Sequence, residues 1–428
     1  MTPKGSLCAA LPAAMLLAGC EWWTEQDELC VYTARSPGQL EAEIPRFVAR
    51  HPEHALRCRG ADAADLYCPS RMADEAARCD EQDAEAWVVL RRSTGKLADL
   101  LVEEGEETKA DVLWGVGISH LWHFRDNTAL LRPYRPQHYE RVYQMVMSEG
   151  RHATLWSSFI EPEVWDLGSY PTPNAVGIDA FAAVFCVDRE QVAATIPGWD
   201  GTLTWTQVMS LFPGRIAMPN PTTSGSGFAA VAGIREHFRM FGAGTSTQRE
   251  AAAWSFLREL DAAVAVYTKT GDAPCELVVD GSYAIGITHD AADALPHGGE
   301  APGDGPVRVF PAPDDALGGK RALGYDVAAN ALIDHGPATR ASAQEFLDWA
   351  LSPEAMEVYA EQTPFVAYPV PGTPMPAGYP ADFATLPDSR LEFNLVARER
   401  VALQERWIAE FCADEPQAPT SRCWFETE

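Results

Sequence analysis

The stretch with the clearest chemistry reads NPTTSGSG and spans residues 220–227. An apolar pattern of helical period follows it, which predicts a polar loop at a helix N-terminus, where N–H groups and the helix dipole bind oxyanions. Runs of Ser, Thr and Gly are also typical of ordinary loops and helix caps. The segment therefore predicts an uncharged anion cradle or a plain capped loop. Its candidate ligand-binding residues are Thr222, Thr223, Ser224, Gly225 and Ser226.

Two other loops repeat this arrangement nearer the start of the chain. Ser93, Thr94 and Gly95 follow an apolar stretch and precede a helical pattern, so they could form a second cradle. Thr33, Arg35 and Ser36 follow the first apolar stretch in the same way. An inward-pointing Arg35 would add a charge-assisted contact to an anion, whereas a solvated arginine would contribute nothing.

Three later residues are candidates for contacts with the rest of the ligand. His289 and Asp290 end one apolar stretch, and Asp326 precedes another. These side chains can bind hydroxyl groups, and Asp290 could alternatively pair with an amine. His289 could equally be a structural histidine with satisfied hydrogen bonds.

Alternating strands and helices are needed to position all of these loops. Short apolar runs predict strands at Leu29–Tyr32, Ala86–Leu90, Ala110–Trp114, Gly214–Met218, Tyr283–Ile287 and Val327–Ile333. We expect Gly115 and Gly117 to stop the third strand, and Pro45 to bend or end the first helix. Helices between strands predict parallel sheets, in which ligands lie beyond the carboxyl ends of the strands. At this chain length the pattern favours two α/β lobes across a cleft.

Composition excludes several classes of function. The 428-residue chain is 46% hydrophobic, which indicates a globular protein, and its net charge of −28 disfavours nucleic acid as a partner. The sequence has no G-x-S-x-G nucleophile motif. His120 and His123 lie three residues apart with no glutamate between them, which is a weak metal signal. We therefore predict no catalysis, no metal site and no cofactor.

The cysteines indicate an exported chain. Without Cys8 and Cys20, eight remain, and none forms a C-x-x-C pair. An even number in an exported protein predicts disulfides more readily than metal ligands. Cys412 and Cys423 flank a short loop and are the predicted pair, while the pairing of Cys58, Cys68 and Cys79 is open. Those three lie in a polar stretch, residues 55–85, that reads as an insertion.

The N-terminus carries a targeting signal. Residues 6–19 are apolar or small, too few to span a bilayer as a mature helix, and Leu17-Ala18-Gly19-Cys20 resembles a bacterial lipobox. That resemblance implies cleavage before Cys20 and lipid attachment to its side chain; an ordinary secretion signal is the alternative. We expect residues 1–19 to be a signal peptide and residues 20–27 a lipid-anchored tether.

Five fragments in order carry a resemblance to a known family. They read VYTARS, ADVLWG, NPTTSGSGF, VVDGSYAIGI and AQEFLDWALSPEAMEVYAEQ. Together they are similar to the extracellular solute-binding proteins of bacterial ABC importers, in the branch with ferric-iron, 2-aminoethylphosphonate and hexose-phosphate binding proteins. The resemblance covers roughly residues 29–370, fails over about 55–85 and thins after 375.

The resemblance implies the type 2 periplasmic-binding-protein fold, an α/β fold of two doubly wound lobes with a hinge and an interlobe cleft. We expect lobe 1 at 28–182 and 312–362, lobe 2 at 183–311, and a C-terminal helical extension at 363–428. The two crossing segments are expected near Gly177 to Val187 and near Val307 to Pro313.

The iron-binding members of this branch carry a tyrosine pair after the strand that here ends in AIGI. This sequence has His289 and Asp290 nearby and no adjacent tyrosines anywhere, which disfavours ferric iron. The resemblance therefore implies a monomeric substrate-binding lipoprotein that captures a phosphorylated sugar or an aminoalkylphosphonate for an ABC permease. It would be tethered by lipid on the periplasmic side of the cytoplasmic membrane. A ferric-iron binding protein, a sensor lipoprotein without a transport role, and a cleft for a hydrophobic ligand are the alternatives.

The anchoring hypothesis predicts that Cys20→Ala abolishes incorporation of a radiolabelled acyl chain into the protein in cells, because the thiol is the attachment point. Cys8→Ala is the matched control and should label like the wild type, since Cys8 leaves with the signal peptide. Equal labelling of Cys20→Ala and the wild type would contradict a lipoprotein.

Overall fold

The computed structural model describes residues 29–51, 54–56, 85–147, 159–160, 172–295, 305–372, 379 and 393–412. The strands are β1 (Leu29–Thr33), β2 (His54–Leu56), β3 (Glu85–Arg91), β4 (Val112–Gly117), β5 (Leu131–Arg132), β6 (Ala175–Val187), β7 (Ile216–Pro219), β8 (Val264–Thr268), β9 (Ile285–His289), β10 (Val307–Val309) and β11 (Tyr325–Ile333). The helices are α1 (Pro37–Arg50), α2 (Thr94–Glu104), α3 (Ile118–Asn127), α4 (Tyr139–Met147), α5 (Arg189–Thr195), α6 (Trp205–Leu211), α7 (Gly225–Phe241), α8 (Ser246–Ala263), α9 (Ala273–Val279), α10 (Ala341–Ala350), α11 (Pro353–Ala360) and α12 (Phe393–Phe411).

The strands form one continuous hydrogen-bonded series that extends through both lobes. Its order is β2-β3-β1-β4-β11-β6-β9-β7-β8, with β5 added beside β11 and β10 beside β6. Strands β1 to β5 and β11 form the sheet of the first lobe, and β7 to β10 form that of the second. The two-lobed α/β prediction is confirmed.

Strand β6 passes from one lobe into the other. Its Ala175–Ala182 part pairs with β11, and its Ala183–Val187 part pairs with β9. Strand β10 still pairs with the second-lobe end of β6, and the chain returns to the first lobe at Tyr325, which pairs with Ala182. The return crossing therefore lies later than the predicted Val307 to Pro313, while the exact division into lobes stays a prediction.

The sheets contain the predicted parallel pairs and also antiparallel pairs that the sequence did not indicate. Strands β1, β2, β3 and β4 are parallel to one another, as are β7, β8 and β9. Strands β6 and β11 run antiparallel to each other and to the strands they join. The two crossing strands run in opposite directions because one leaves the first lobe and the other returns to it.

Helix α1 begins as the sequence indicated and continues past its proline. The Ser36 hydroxyl accepts from the N–H of Gln39, whose side chain accepts from the N–H of Ser36, which forms a capping box. The helix continues past Pro45 to Arg50, so the expected early end was wrong. Pro45 lies on the exposed face beside the exposed Glu41, where water can bind the carbonyl that the proline leaves free.

Strand β4 also continues further than its glycines suggested. It runs through Gly115 and ends at Gly117. Gly115 has φ +65°, and a Cβ at this position would lie 2.3 Å from Cδ of Arg35. This glycine therefore makes room for a neighbouring side chain within the strand rather than ending it.

The C-terminal helix α12 packs against both lobes. Its Trp407 ring lies 6.0 Å from that of Tyr267 in the second lobe, and Gln404 donates to the carbonyl oxygens of Pro221 and Thr222. On the other side, α12 contacts α3 of the first lobe. The helix thus covers the join between the lobes.

Several predictions fall on residues outside the described ranges. These include the signal peptide, the tether with Cys20, and almost all of the 55–85 insertion with its three cysteines. Cys412 is disulfide-bonded, but its predicted partner Cys423 also lies outside the described residues. A search of the described helices finds none long and apolar enough to cross a membrane.

A disulfide that the sequence did not single out joins Cys186 at the end of β6 to Cys275 in α9, across a separation of 89 residues. Closing a loop of that length restricts the unfolded chain, so we predict that Cys186→Ala with Cys275→Ala lowers the free energy of unfolding by about 2–4 kcal/mol. Denaturant titration of the oxidised proteins measures this difference. A double variant with the wild-type midpoint would contradict the assignment of a stabilising cross-link.

Candidate functional site

A cavity of about 80 Å³ lies between the lobes, enough for several water molecules or a small polar solute. We call it the cleft cavity. Residues from the first lobe, the second lobe and strand β6 line it together. They are Ala34, Arg35, Ser36, Gln39, Arg91, Ser93, Thr94, Gly115, Asp179, Ala180, Phe181, Ser224, Gly225, Ser226, Thr270, Gly271, Asp272, His289, Ala291, Ala328 and Thr363.

The N-terminus of α7 forms one wall. Ser224 is the N-cap residue, and its hydroxyl accepts from the N–H of Gly227 and lies 3.1 Å from the Ser226 hydroxyl. Within the described part of the chain, the N–H groups of Gly225 and Ser226 donate to no protein acceptor. This wall therefore offers two free N–H donors and two hydroxyls to a bound group.

The two threonines of the same loop face elsewhere. The Thr222 hydroxyl donates to the side chain of Asn220 at 2.8 Å, and the Thr223 hydroxyl donates to the Lys269 carbonyl at 3.1 Å. Neither residue lines the cleft cavity. The predicted cradle thus divides into an inner part, residues 224–226, and an outer part that shapes the loop.

The N-terminus of α2 forms the facing wall. Thr94 lines the cavity, and a Cβ placed on Gly225 would lie 3.2 Å from the Cβ of Thr94. Ser93 also lines the cavity and donates to the carbonyl of Thr223 at 2.7 Å, which is a contact between the lobes. Gly95 lies behind, where a Cβ would be 3.2 Å from that same carbonyl oxygen. The positive ends of α2 and α7 therefore meet at the cavity.

The N-terminus of α1 also reaches the cavity but already has an anion. Ser36 lines the cavity, and its hydroxyl donates to Asp293 at 2.7 Å. The backbone N–H of Gly38 donates to the second oxygen of Asp293 at 3.1 Å. A carboxylate of the second lobe thus occupies the start of this first-lobe helix.

Arg35 points inward, which is one of the two alternatives that the sequence left open. Its positive charge is already paired with carboxylates of the protein. The guanidinium donates to Glu43 and to Asp179, at 2.6 Å in the second case, and lies 4.9 Å from the ring centre of Tyr359. Burial raises the pKa of Glu43 to about 7, against the opposing effect of Arg35, and burial raises the pKa of Asp179 as well. Arg35 therefore serves first to join β1, α1 and β6.

His289 lines the cavity at its second-lobe side. Its Nε2 lies 2.9 Å from an oxygen of Asp272, and its ring packs edge-on against Phe181 at 6.0 Å. Burial alone would lower the pKa of His289, but the charge and hydrogen bond of Asp272, with the charges of Asp290 and Asp293, together outweigh burial and raise this pKa. Burial would raise the pKa of Asp272, but the contact with His289 acts in the opposite direction, and the net shift is downward. The two side chains form an ion pair at the cavity edge.

Asp290 does not reach the cavity. It is 0% exposed, and its carboxylate accepts from the N–H of Ala182 at 2.6 Å and from the hydroxyls of Tyr379 and Thr363 at 2.5 and 3.3 Å. All of these donors are protein groups. The structure therefore places Asp290 as a brace at the point where β6 passes between lobes.

Asp326 and Thr33 are also held inside the protein rather than at the cavity. Asp326 accepts from the hydroxyl of Ser119 at 2.6 Å and from the N–H of Val327 at 2.8 Å, and burial raises its pKa to about 6. The Thr33 hydroxyl donates to the carbonyl of Trp114 at 2.8 Å. Both side chains support the elements around the cleft and do not line it.

The cavity residues that the sequence did not single out include Arg91, Asp179, Phe181 and Asp272. Arg91 is the last residue of β3, and its Nε donates to the carbonyl of Arg35. Its position at a strand end is a signal that could have been used. Asp179 and Phe181 lie within a long apolar strand, where nothing local marks them.

Solved structures similar to this chain are binding proteins. The periplasmic binding protein AfuA from Actinobacillus pleuropneumoniae, with exogenous fructose-6-phosphate bound, is 16% identical with a TM-score of 0.61, and the match covers 90% of this chain and 98% of AfuA. The periplasmic binding protein P5PA is 18% identical with a TM-score of 0.61, over 90% and 99% of the two chains. Iron-bound HitA from Pseudomonas aeruginosa is 16% identical with a TM-score of 0.55, over 89% and 98%. These likenesses show the fold.

A comparison with curated proteins found no match. The sequence profile of a family described as bacterial extracellular solute-binding protein matches residues 155–383, which is more than half of the chain. The matched region includes β6, the α7 loop and the His289–Asp272 pair of the cleft cavity. This chain belongs to the bacterial extracellular solute-binding proteins, the periplasmic binding components of ABC importers.

Proposed function

We propose that the protein captures a small organic anion, a phosphorylated sugar or an aminoalkylphosphonate, in the cleft cavity. The observation that carries this proposal is the meeting of the α2 and α7 N-termini, one from each lobe, at Thr94 and Gly225. Each helix presents a partial positive charge of roughly half an elementary charge. Two such ends repel each other across a closed cleft unless an anion lies between them.

The donors at this position suit a phosphate or phosphonate group. Ser224, Ser226 and Thr94 offer hydroxyls, and the N–H groups of Gly225 and Ser226 donate to no protein acceptor within the described residues. None of these groups carries a formal charge, so an anion is bound by hydrogen bonds and dipoles. Arg91 adds a formal positive charge at the same cavity. This set accounts for the anionic end of the ligand.

The remaining wall suits a polar tail. Asp179, Asp272 and His289 line the cavity and present oxygen and nitrogen atoms that can bind hydroxyl or amine groups. Phe181 supplies an apolar face beside them. A sugar and an aminoalkyl chain both fit this description, and the fructose-6-phosphate held by the similar AfuA supports the sugar phosphate. Asp290 and Asp326 are left out of this set because they are satisfied inside the protein.

We further propose that the protein acts as a monomeric lipoprotein, tethered through Cys20 beside an ABC permease that accepts its solute. Tethering raises the concentration of loaded protein near the permease. A sensor lipoprotein would bind the same solute and signal to a receptor instead. Capture of the permease by the tagged, membrane-attached protein supports the importer, and capture of a receptor alone supports the sensor.

The anion proposal predicts that Ser226→Ala and Thr94→Val each weaken binding of fructose 6-phosphate or 2-aminoethylphosphonate by roughly 10- to 150-fold, whichever of the two the protein binds. Each variant removes a hydrogen bond to a charged group, worth about 1.5–3 kcal/mol. Isothermal titration calorimetry gives the dissociation constants. Thr222→Ala is the matched control from the same loop and should leave affinity unchanged, because its hydroxyl bonds Asn220.

The anion cradle is the wrong assignment if Ser226→Ala and Thr94→Val bind these ligands as well as the wild type does. It is equally wrong if fructose or ethanolamine, which lack the anionic group, bind as tightly as their phosphorylated counterparts or analogues. In either case the cleft holds a different kind of solute.

The ferric-iron alternative makes an opposite prediction. Among the described residues no tyrosine lines the cleft cavity, and no cluster of three or more His, Cys, Asp or Glu side chains could hold a metal ion. We therefore expect no visible tyrosinate-to-iron absorption band when ferric salt is added with citrate or phosphate. A strong band in one-to-one ratio with protein would favour an iron carrier.

A further inference from the structure

Asp293 joins the two lobes at the rim of the cleft. It lies four residues after β9 of the second lobe and is exposed to solvent. Its two carboxylate oxygens accept from the hydroxyl of Ser36 and from the N–H of Gly38, at 2.7 and 3.1 Å, both at the start of α1 in the first lobe. Asp293 is not among the described residues that line the cleft cavity.

The position of this carboxylate makes the contact favourable. A negative charge at a helix N-terminus is stabilised by the helix dipole and by N–H groups without intrahelical partners. Helix α1 has no acidic residue of its own in its first turn. The second lobe therefore supplies the anion that this helix lacks, and it can do so only when the lobes are together.

Gly38 leaves the space that the carboxylate of Asp293 occupies. A Cβ at Gly38 would lie 2.6 Å from one oxygen of Asp293 and 2.9 Å from its carboxylate carbon. Helical backbone at this position accepts alanine without strain, and among the described residues the three atoms nearest to this Cβ all belong to Asp293 of the other lobe. The glycine and the aspartate are thus two halves of one contact.

We propose that Asp293 is an interlobe latch, which stabilises the closed cleft by capping α1 and thereby sets ligand affinity without touching the ligand. Apparent affinity depends on the fraction of molecules in the binding-competent closed form. Loss of the latch lowers that fraction and weakens binding of any solute that requires closure. The inference holds for whichever small solute occupies the cavity.

The test compares the full chain with three variants, Asp293→Ala, Gly38→Ala and the double variant, and uses Asp315→Ala as a control at an exposed second-lobe aspartate. Small-angle X-ray scattering of the unliganded proteins measures the radius of gyration. Calorimetry with fructose 6-phosphate and 2-aminoethylphosphonate measures affinity. Thermal unfolding verifies that each variant folds.

Both single variants should have a larger radius of gyration than the wild type and bind about 2- to 10-fold more weakly, the range expected for an exposed helix cap. The double variant should match Asp293→Ala, because removing the carboxylate also removes the conflict with Ala at position 38. Asp315→Ala should behave as the wild type.

Unchanged radii in both single variants would overturn the latch, and so would a double variant whose effects are the sum of the two. If neither ligand binds even the wild type, the proposed function fails, while the scattering comparison still decides the latch by itself. The two proposals are therefore tested separately.

Discussion

Strand β6 forms hydrogen bonds with β11 along Ala175–Ala182 and with β9 along Ala183–Val187, so one uninterrupted strand belongs to the sheets of both lobes. The pairing of this strand passes from β11 to β9 between Ala182 and Ala183. Asp290 accepts from the N–H of Ala182 and is itself held by Tyr379 and Thr363. The point where β6 changes partners is thus braced by a buried carboxylate.

The same physical logic recurs at the helix N-termini around the cleft. Asp293 caps α1 from the other lobe, and Asp326 accepts from the first turn of α3. For α7, hydroxyls and the N–H groups of Gly225 and Ser226 stand in the corresponding place, and the Thr94 hydroxyl does so for α2. Carboxylates of the protein therefore occupy the N-termini of α1 and α3. The N-termini of α2 and α7, which meet at the cavity, remain available to a ligand.

The sequence predicted the elements better than their partners. Apolar runs and capping residues identified β1, α1 and α7, because these signals are local. The sequence did not predict that β4 continues through Gly115, because the need for glycine there comes from the side chain of Arg35, which is far away in sequence. Antiparallel pairing of β6 and β11 also depends on the return of the chain between lobes. Local patterns contain no information about either contact.

The candidate site shows the same limit at the scale of single residues. His289 and Asp290 are adjacent at a strand end, where successive side chains point to opposite faces, so His289 reaches the cavity and Asp290 is buried behind it. The sequence located the strand end but not which of the two side chains faces the ligand. Asp179 was missed for a related reason, because only the folded sheet brings the middle of strand β6 to the cavity.

The Cys186–Cys275 disulfide has a consequence for how the protein reaches its place of work. Disulfides persist in oxidising compartments and are rare in the cytosol, so the second lobe gains this cross-link only after the chain has left the cell interior. Before that, the nascent chain lacks about 2–4 kcal/mol of the stability of the mature form. The cross-link therefore adds stability only in an oxidising compartment, which agrees with a family of extracellular proteins.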